Sequence, residues 1–554
     1  MANIPYTPQY NTLQLEILIN GSNNGLHMLL KKMYVNYELN KIPSAKLYFI
    51  SSNPEIESED NTLESDNLRV TDEIELRTNS GESVETLFKG TIYRSEINAE
   101  NSDGFETKIE CKDIAVKLTS QQDVVADETF VDKMERFLNE VGMINNVDLG
   151  VFGDNIVSKT QNITPWDYLL SYLDSLGMLS AIREGSFNFA DITNEASDTS
   201  YLALNGVNIF EFKAREEGCV SEVEVRYWNP ENQSIETQIG TTNVENGSGR
   251  EVIDMSQSSY DTNTIAKITD ARVAKNTLNS IKGKVKTFGN LLAKYGDYLE
   301  FENVNPNVDG KALLITSEYH SIENGSWNTE YGFGLENNNS FAQSISSNTP
   351  NSNSITGQSN SMQGLQIGIV TDILDPQNEV RVRVRIPSIS DSGDGIWARL
   401  SSFQAGNERG AFFIPEVGDE VILGCINNNP DSPVILGKLY SSFNQAPFPV
   451  EEDNSIQGFV SKQNLRIVMN DEDRSVEIST NSGNKLLISE AKKGFELEDE
   501  NGNKIVMNND GITLESIKDI NLIAQGGNIN AEGSKTSLKA SSIMEISGQL
   551  IKLN

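Results

Sequence analysis

Residues 494–516 read GFELEDENGNKIVMNNDGITLES. The stretch is polar enough for a loop, yet Phe495 and Leu497, Ile505 and Met507, and Ile512 and Leu514 each stand two residues apart. Residues at i and i+2 share one face of a strand. The spacing therefore predicts short strands separated by small turns, each with one apolar side. The pattern extends both ways. Leu465/Ile467, Val476/Ile478 and Leu486/Ile488 precede it, and Ile520/Leu522, Leu538/Ala540, Ile546 and Leu550/Leu553 follow, in steps of roughly 7 to 11 residues. GNK at Gly483–Lys485 recurs at Gly502–Lys504, 19 residues on, which fits two strands per unit. A fixed period of this kind marks a stacked repeat. After Pro449 the chain has no proline, tryptophan or tyrosine.

One such meander cannot bury its stripe, because each strand brings one or two apolar residues and both sheet edges stay open. Three chains wound about a common axis would place the apolar positions inside and the polar ones outside. The axis residues expected on this reading are Leu486, Ile488, Phe495, Leu497, Ile505, Met507, Ile512, Leu514, Ile520 and Leu522. At about 4.8 Å per strand, ten or eleven strands would form a needle about 50 Å long.

Upstream, Leu365–Tyr440 carries LQIGIVTDI, EVRVRVRIP, GIWARLSS, GAFFIP, DEVILGCI and PVILGKLY, which read as five or six strands without a helical period. That size suits a small closed barrel of the oligonucleotide/oligosaccharide-binding (OB) type. In EVRVRVR, Val380, Val382 and Val384 would point inward and Arg381, Arg383 and Arg385 outward, paired with acidic neighbours. A nucleic-acid role for these arginines is disfavoured by the acidic remainder and by the few aromatics nearby. Residues 337–364 are Ser/Asn-rich and nearly uncharged, which predicts an extended linker.

Residues 1–340 are mixed. LQLEILING and AKLYFI predict strands, and ELRTNSGESVETLFKGTIYRSEI predicts strand, turn, strand. ITPWDYLLSYLDSLGM predicts a helix: Thr164 as N-cap, Pro165 in the first turn, Trp166, Leu169, Leu170, Leu173 and Leu176 at helical spacing, and Gly177 as the stop. A second helix is expected around TDARVAKNTLNSIKG, and NVENGSGREV (243–252) as a turn-rich loop without a phosphate-loop context.

The chain has 554 residues, with 80 acidic against 44 basic, a net charge of −36. That opposes binding to nucleic acid or to an anionic lipid surface. Cys111, Cys219 and Cys425 are odd in number and far apart, so neither a disulfide framework nor a zinc pattern is expected, and all three read as ordinary buried cysteines. MANIPYTPQY has no charged and apolar leader pattern, and no apolar run approaches a membrane span. His27 and His320 are the two histidines, too few for a nucleophile–histidine pattern, and His320 reads as structural. DSGDG (391–395) lacks calcium-loop spacing and reads as a barrel turn. No carboxylate pair stands out. No catalytic, cofactor or metal site is expected.

The barrel segment resembles that of contractile-injection spikes: VgrG proteins, phage tail spikes and the spikes of antifeeding-prophage-type particles. VRVRIP, WAR, GAFFIPEVGDEVILG and DSPVILGKLYSS carry the likeness. TPWDYLLSYLDSLGM and LLITSEYHSIENGSWNTEYGFGL resemble parts of the family's phage-hub-like domain, and NKIPSAKLYF is closer to the extracellular particles than to type VI spikes. The resemblance implies a homotrimer at the centre of a baseplate, assembled in the bacterial cytoplasm without a signal peptide. Its hub would join a hexameric inner tube and other baseplate proteins, with cargo effectors as further partners. Its needle would meet a target membrane on puncture and carry a conical PAAR-type tip protein. Leu550, Ile551, Leu553 and Asn554 would be the tip contacts. A lysozyme domain between barrel and needle, and a His-x-His tip metal, are features of some phage spikes that this sequence lacks.

The expected fold is therefore mainly β: a phage-hub-like domain of two barrel-like subdomains plus helices at 1–340, a linker at 341–364, an OB barrel at 365–445, a connector at 446–464 and a trimeric β-prism needle at 465–554. The expected function is that of the central, membrane-puncturing spike of a contractile injection system. A phage baseplate hub, a type VI spike, a polysaccharide-binding fibre and a cell-wall hydrolase hub are the alternatives.

Overall fold

The computed structural model describes residues 13–552 apart from 24, 52–67, 81–82, 101–103, 121–128, 147–163, 195–199, 205–208, 230–231, 243, 245–246, 256–261, 336–361, 363, 389–392 and 427–431. Most of the expected linker and part of DSGDG thus lie outside the described residues, as do Leu553 and Asn554. The chain divides into two compact units, one ending at Leu439 and one beginning at Tyr440.

Among the described residues, the first unit is organised by a 13-stranded sheet, with one barrel and two three-stranded sheets beside it. The hub portion is built on this large sheet. Strand Ala312–Glu323 sits near its middle, paired with Ser326–Phe333 on one side and Leu30–Glu38 on the other. Its core gathers Tyr37, Phe49, Phe88, Phe301 and Phe333. The expected strands are observed as Leu15–Ile19, Ser44–Ser51, Glu73–Ser80 and Ser83–Glu100.

A second core belongs to the helices. Helix α1 spans Phe130–Val141, α2 Pro165–Ser175 and α3 Thr262–Ser280. The sequence reading has no counterpart of α1, although Thr129 caps it by accepting from the Asp132 N–H and Gly142 closes it at φ 78°. In α2, Thr164 Oγ1 accepts from the Asp167 N–H at 3.1 Å. Its apolar residues Trp166, Leu169, Leu170, Leu173 and Leu176 are all buried, and Gly177 takes φ 77°. Helix α3 begins seven residues before the expected segment, and Ile281–Phe288 is strand where SIKG was expected to remain helical. Lys275 Nζ of α3 meets Asp174 Oδ2 of α2 at 2.5 Å, both buried, and this pair ties the two helices.

The barrel closes from Gln366–Asp372, Arg381–Arg385, Ile396–Leu400, Pro433–Lys438 and Glu420–Cys425. Val382, Val384, Ala398, Val421, Leu423 and Ile435 fill it. Two expectations fail here. Val380 is exposed with φ 59°, because Asp375 accepts from the N–H groups of Glu379 and Arg381 and turns the chain just before the strand starts. GAFFIP adds no barrel strand: Arg409–Gly410 pairs with Ala405–Gly406 in a small hairpin, and Phe412 and Phe413 stay exposed.

The second unit holds a seven-stranded antiparallel meander: Ile456–Val460, Arg466–Asn470, Ser475–Ser479, Lys485–Ser489, Gly494–Glu498, Lys504–Asn508 and Gly511–Glu515. Its period is 19 residues. Ser461, Thr480 and Asp499 open equivalent turns, each N–H donating to a carbonyl four residues on, at Leu465, Asn484 and Asn503. Asn464, Gly483 and Gly502 supply the positive φ in those turns, and Arg474 and Lys493 supply it at the other end. The meander begins inside the segment read as a connector. It also ends at Glu515, and in the single chain residues 516–552 carry no strand, so seven strands stand where ten or eleven were expected of the assembled needle.

Candidate functional site

The register of the meander lines up two rows on one face. One runs Phe459, Ile467, Ile478, Leu486, Leu497, Ile505, Leu514. The other runs Gln457, Met469, Val476, Ile488, Phe495, Met507, Ile512. Thirteen of these fourteen positions are apolar. They face outward in the single chain: Phe495 is 51% exposed, Leu497 42%, Ile512 70% and Leu514 51%. An apolar strip of seven strands, open to water, lies outside what a lone soluble chain presents, and such patches mark interaction surfaces.

Eight of the ten expected axis residues fall on this face: Leu486, Ile488, Phe495, Leu497, Ile505, Met507, Ile512 and Leu514. Ile520 and Leu522 do not stand on a strand. The fold still brings Ile520 into one trough with Ile478, Leu486, Leu497, Ile505 and Leu514. The sequence reading missed Phe459 and Met469, since the first pair is Ile467/Met469 rather than Leu465/Ile467 and Leu465 sits in a turn. On the opposite face Leu487 stands between Glu477 and Glu496, only 9% exposed. There Glu496 is held below the usual carboxylate range by the Lys492 ammonium, against a smaller effect of burial, with Lys504 adding to it. The two faces thus differ in kind: one is apolar and open, the other ion-paired.

The hub contains a second notable cluster. His320 Nε2 lies 2.7 Å from Glu318 Oε1, Arg183 pairs with the other carboxylate oxygen, and all are buried or nearly so. His320 Nδ1 lies 2.9 Å from Thr329 Oγ1, and Arg183 stacks over Tyr37 at 4.2 Å. Burial pushes the Glu318 carboxyl up, but the Arg183 guanidinium and the bonded His320 outweigh it and hold the group at about 2. The cluster is buried or nearly so and bonds across the core, which makes it a structural tie between strands Ala312–Glu323 and Met178–Arg183. Among the described residues no group of three acidic, histidine or cysteine side chains could hold a metal ion. Of the cysteines, Cys111 is buried, whereas Cys219 and Cys425 are half-buried, a departure from the expectation for those two.

Three family descriptions match the chain in succession. Residues 9–324 match the Alg8 N-terminal domain, 366–440 the type VI secretion system/phage-baseplate injector OB domain, and 475–544 the phage baseplate V C-terminal trimerisation domain. The third coincides with the strip-bearing sheet and the segment after it. The chain belongs to the VgrG/phage baseplate spike family. Among curated relatives, the type VI secretion system spike protein VgrG3 of Vibrio cholerae is 33% identical over 95 residues, 15% of this chain and 9% of that protein. The spike protein VgrG5 of Pseudomonas aeruginosa is 33% identical over 66 residues, 12% and 8% respectively. The matched part is thus under a tenth of either spike. Among solved structures, the Francisella PdpA–VgrG complex aligns with a TM-score of 0.54 at 11% identity, over 91% of this chain and 80% of that one. At that identity the likeness speaks for a shared fold.

Proposed function

We propose that the chain is the central spike of a contractile injection system, acting as a homotrimer whose C-terminal sheets bury their apolar faces on one axis. The two aligned rows from Phe459 to Leu514 carry this reading. Three copies remove the strip from water with no change in the fold of each, and the match to a trimerisation domain over 475–544 supports it. The hub would join a hexameric inner tube and its baseplate neighbours. The far end would carry a PAAR-type tip protein, for which Leu550 and Ile551, both exposed, are contact candidates together with Leu553 and Asn554. The protein would be made in the bacterial cytoplasm and act within a phage tail-like particle as a structural component without hydrolytic activity. A type VI VgrG spike is supported equally well by the curated matches.

The decisive experiment is a mass measurement of the intact protein in native solution. About three times 61.2 kDa is expected. A stable folded monomer would refute the axis model.

A further inference from the structure

The arginine strand of the barrel is absorbed by neither the core nor the trimer strip. We propose that the outer face of the barrel meander, built around Arg385, Arg399 and Trp397, is a docking patch for a short acidic polypeptide segment of a partner protein. In a chain of net charge −36, this face concentrates arginine.

The register decides which cations remain. Arg381 stands directly opposite Arg399 across the strands, Arg383 opposite Trp397, and Arg385 opposite Ile369. Like charges directly opposite one another disfavour a pair unless something neutralises them. Arg381 is neutralised: it forks onto Asp375 through Nε at 3.1 Å and Nη2 at 2.8 Å, with Glu379 at 3.4 Å. Arg383 pairs with Asp394 at 3.1 Å. Arg399 is exposed and forms no ion pair among the described residues. Arg385 likewise has none, and its Nε is shut off from solvent with no acceptor among the described residues. A buried guanidinium donor without an acceptor calls for one.

The surroundings favour a peptide carboxylate. Guanidinium forks match carboxylates in two-point geometry. Trp397 is half-buried between Arg381 and Arg383, with their guanidinium carbons 6.0 and 5.9 Å from its ring, and half-exposed Ile367 and Ile369 lie on the adjacent strand. Ile369 stands opposite Arg385 and Trp397 opposite Arg383, which suits a segment of mixed acidic and aliphatic side chains. One aromatic is a poor platform for a single-stranded nucleic acid, which stacks successive bases. The barrel is closed, so no free edge is available for strand addition and recognition falls to side chains.

The test is a titration of the full chain with a fluorescent (Glu-Leu)6 peptide, with (dT)12 as competitor. Saturable binding that weakens with salt is expected. The double substitution Arg385→Glu/Arg399→Glu should lower affinity at least about tenfold, and Arg399→Gln alone about threefold. Lys535→Glu, in the other unit, should leave affinity unchanged. Arg399 is exposed, so Arg399→Gln keeps the barrel folded and still reports if the double variant unfolds. Absence of saturable binding, or an affinity indifferent to both variants, overturns the proposal. Tighter binding of (dT)12 through the same arginines overturns the acidic-polypeptide assignment in favour of nucleic acid. The barrel closes within one chain, so failure of the trimer reading would appear in the solution mass and leave this titration independent.

Discussion

Leu514→Asp tests the axis directly. Leu514 pairs with Ile505 in the last hairpin and lines the trough with Ile478, Leu486, Leu497 and Ile520. It is 51% exposed in one chain, so about half of its burial remains to be gained on assembly. Full burial of a leucine contributes about 1.5–3 kcal/mol, so each copy gives up about 1 kcal/mol when the side chain is lost. Each buried carboxylate adds an effective penalty of several kcal/mol, and three would converge. The sum is roughly 10 kcal/mol or more per trimer, as large as the whole stability of a typical domain. Thr513 pairs with Val506 on the opposite face and is exposed, so Thr513→Asp should cost about 0.5–1 kcal/mol, chiefly in strand preference. Native mass and melting at matched concentration should show Leu514→Asp without a stable trimer and Thr513→Asp close to the parent. The new carboxyls would have their pKa raised by burial and mutual repulsion, so the penalty is present above that raised value and fades below it. Trimer recovery on lowering the pH from 8 to 4 is therefore expected. Equal tolerance of the two changes, or a trimer of Leu514→Asp as heat-resistant as the parent, refutes the axis assignment.

In the hub, Glu318→Ala should destabilise by about 3–5 kcal/mol, because it leaves Arg183 buried without its carboxylate, and hub melting reads this out. Glu318 is held at about 2, below its unfolded value, so its contribution is full above about pH 4.5 and is lost as pH falls toward 2; Glu318→Gln should flatten the acid limb of the stability curve. Thr164→Ala should cost about 1 kcal/mol by removing the cap of α2, seen as a lowered melting temperature with an unchanged trimer. Deleting residues 548–554 should abolish capture of a PAAR-type tip protein in a pull-down while the trimer persists; undiminished capture would place that contact elsewhere. Pure protein should not cleave peptidoglycan, and cleavage lost on changing one carboxylate would overturn the structural role.

What the sequence showed depended on which physical constraint each residue answered to. The apolar strip was legible at Phe495/Leu497 and its neighbours because one face must stay apolar on every strand. Helix α2 was legible because Thr164, Pro165 and Gly177 mark both ends. Helix α1 carries the same signals in Thr129 and Gly142, with Phe130, Met134, Phe137, Leu138 and Val141 on its buried side, and could have been found by the same rule. Val380 was misplaced because alternation alone does not say where a strand begins; the Asp375 turn does. The aromatics of GAFFIP suited a strand, yet tertiary context put Phe412 and Phe413 on the surface. The Arg183–Glu318–His320 tie joins residues 135 apart in the chain, a pairing that single-sequence reading has no means to see.

The boundary at Glu515 shows why a period of two fixes a face but not a partner. Through residue 515, the reversals at Asn464, Arg474, Gly483, Lys493, Gly502 and Gly511 each take a positive φ. These turns bring each strand back against the one before it. Asn503 then accepts from Ser516 Oγ at 2.9 Å and the Ile517 N–H at 3.1 Å, fastening the chain where the meander stops. From 516 to 552 the apolar residues continue with Ile520, Leu522, Ile546 and Leu550, but no residue there takes a positive φ. Without those reversals the segment does not fold back on the sheet, whatever its side-chain alternation. Apolar spacing reports which side of the chain must be buried, and turn chemistry reports whether the same chain can supply the neighbouring strand. Read together, the two signals separate the meander of 456–515 from the segment after it; read by spacing alone, they merged into one needle.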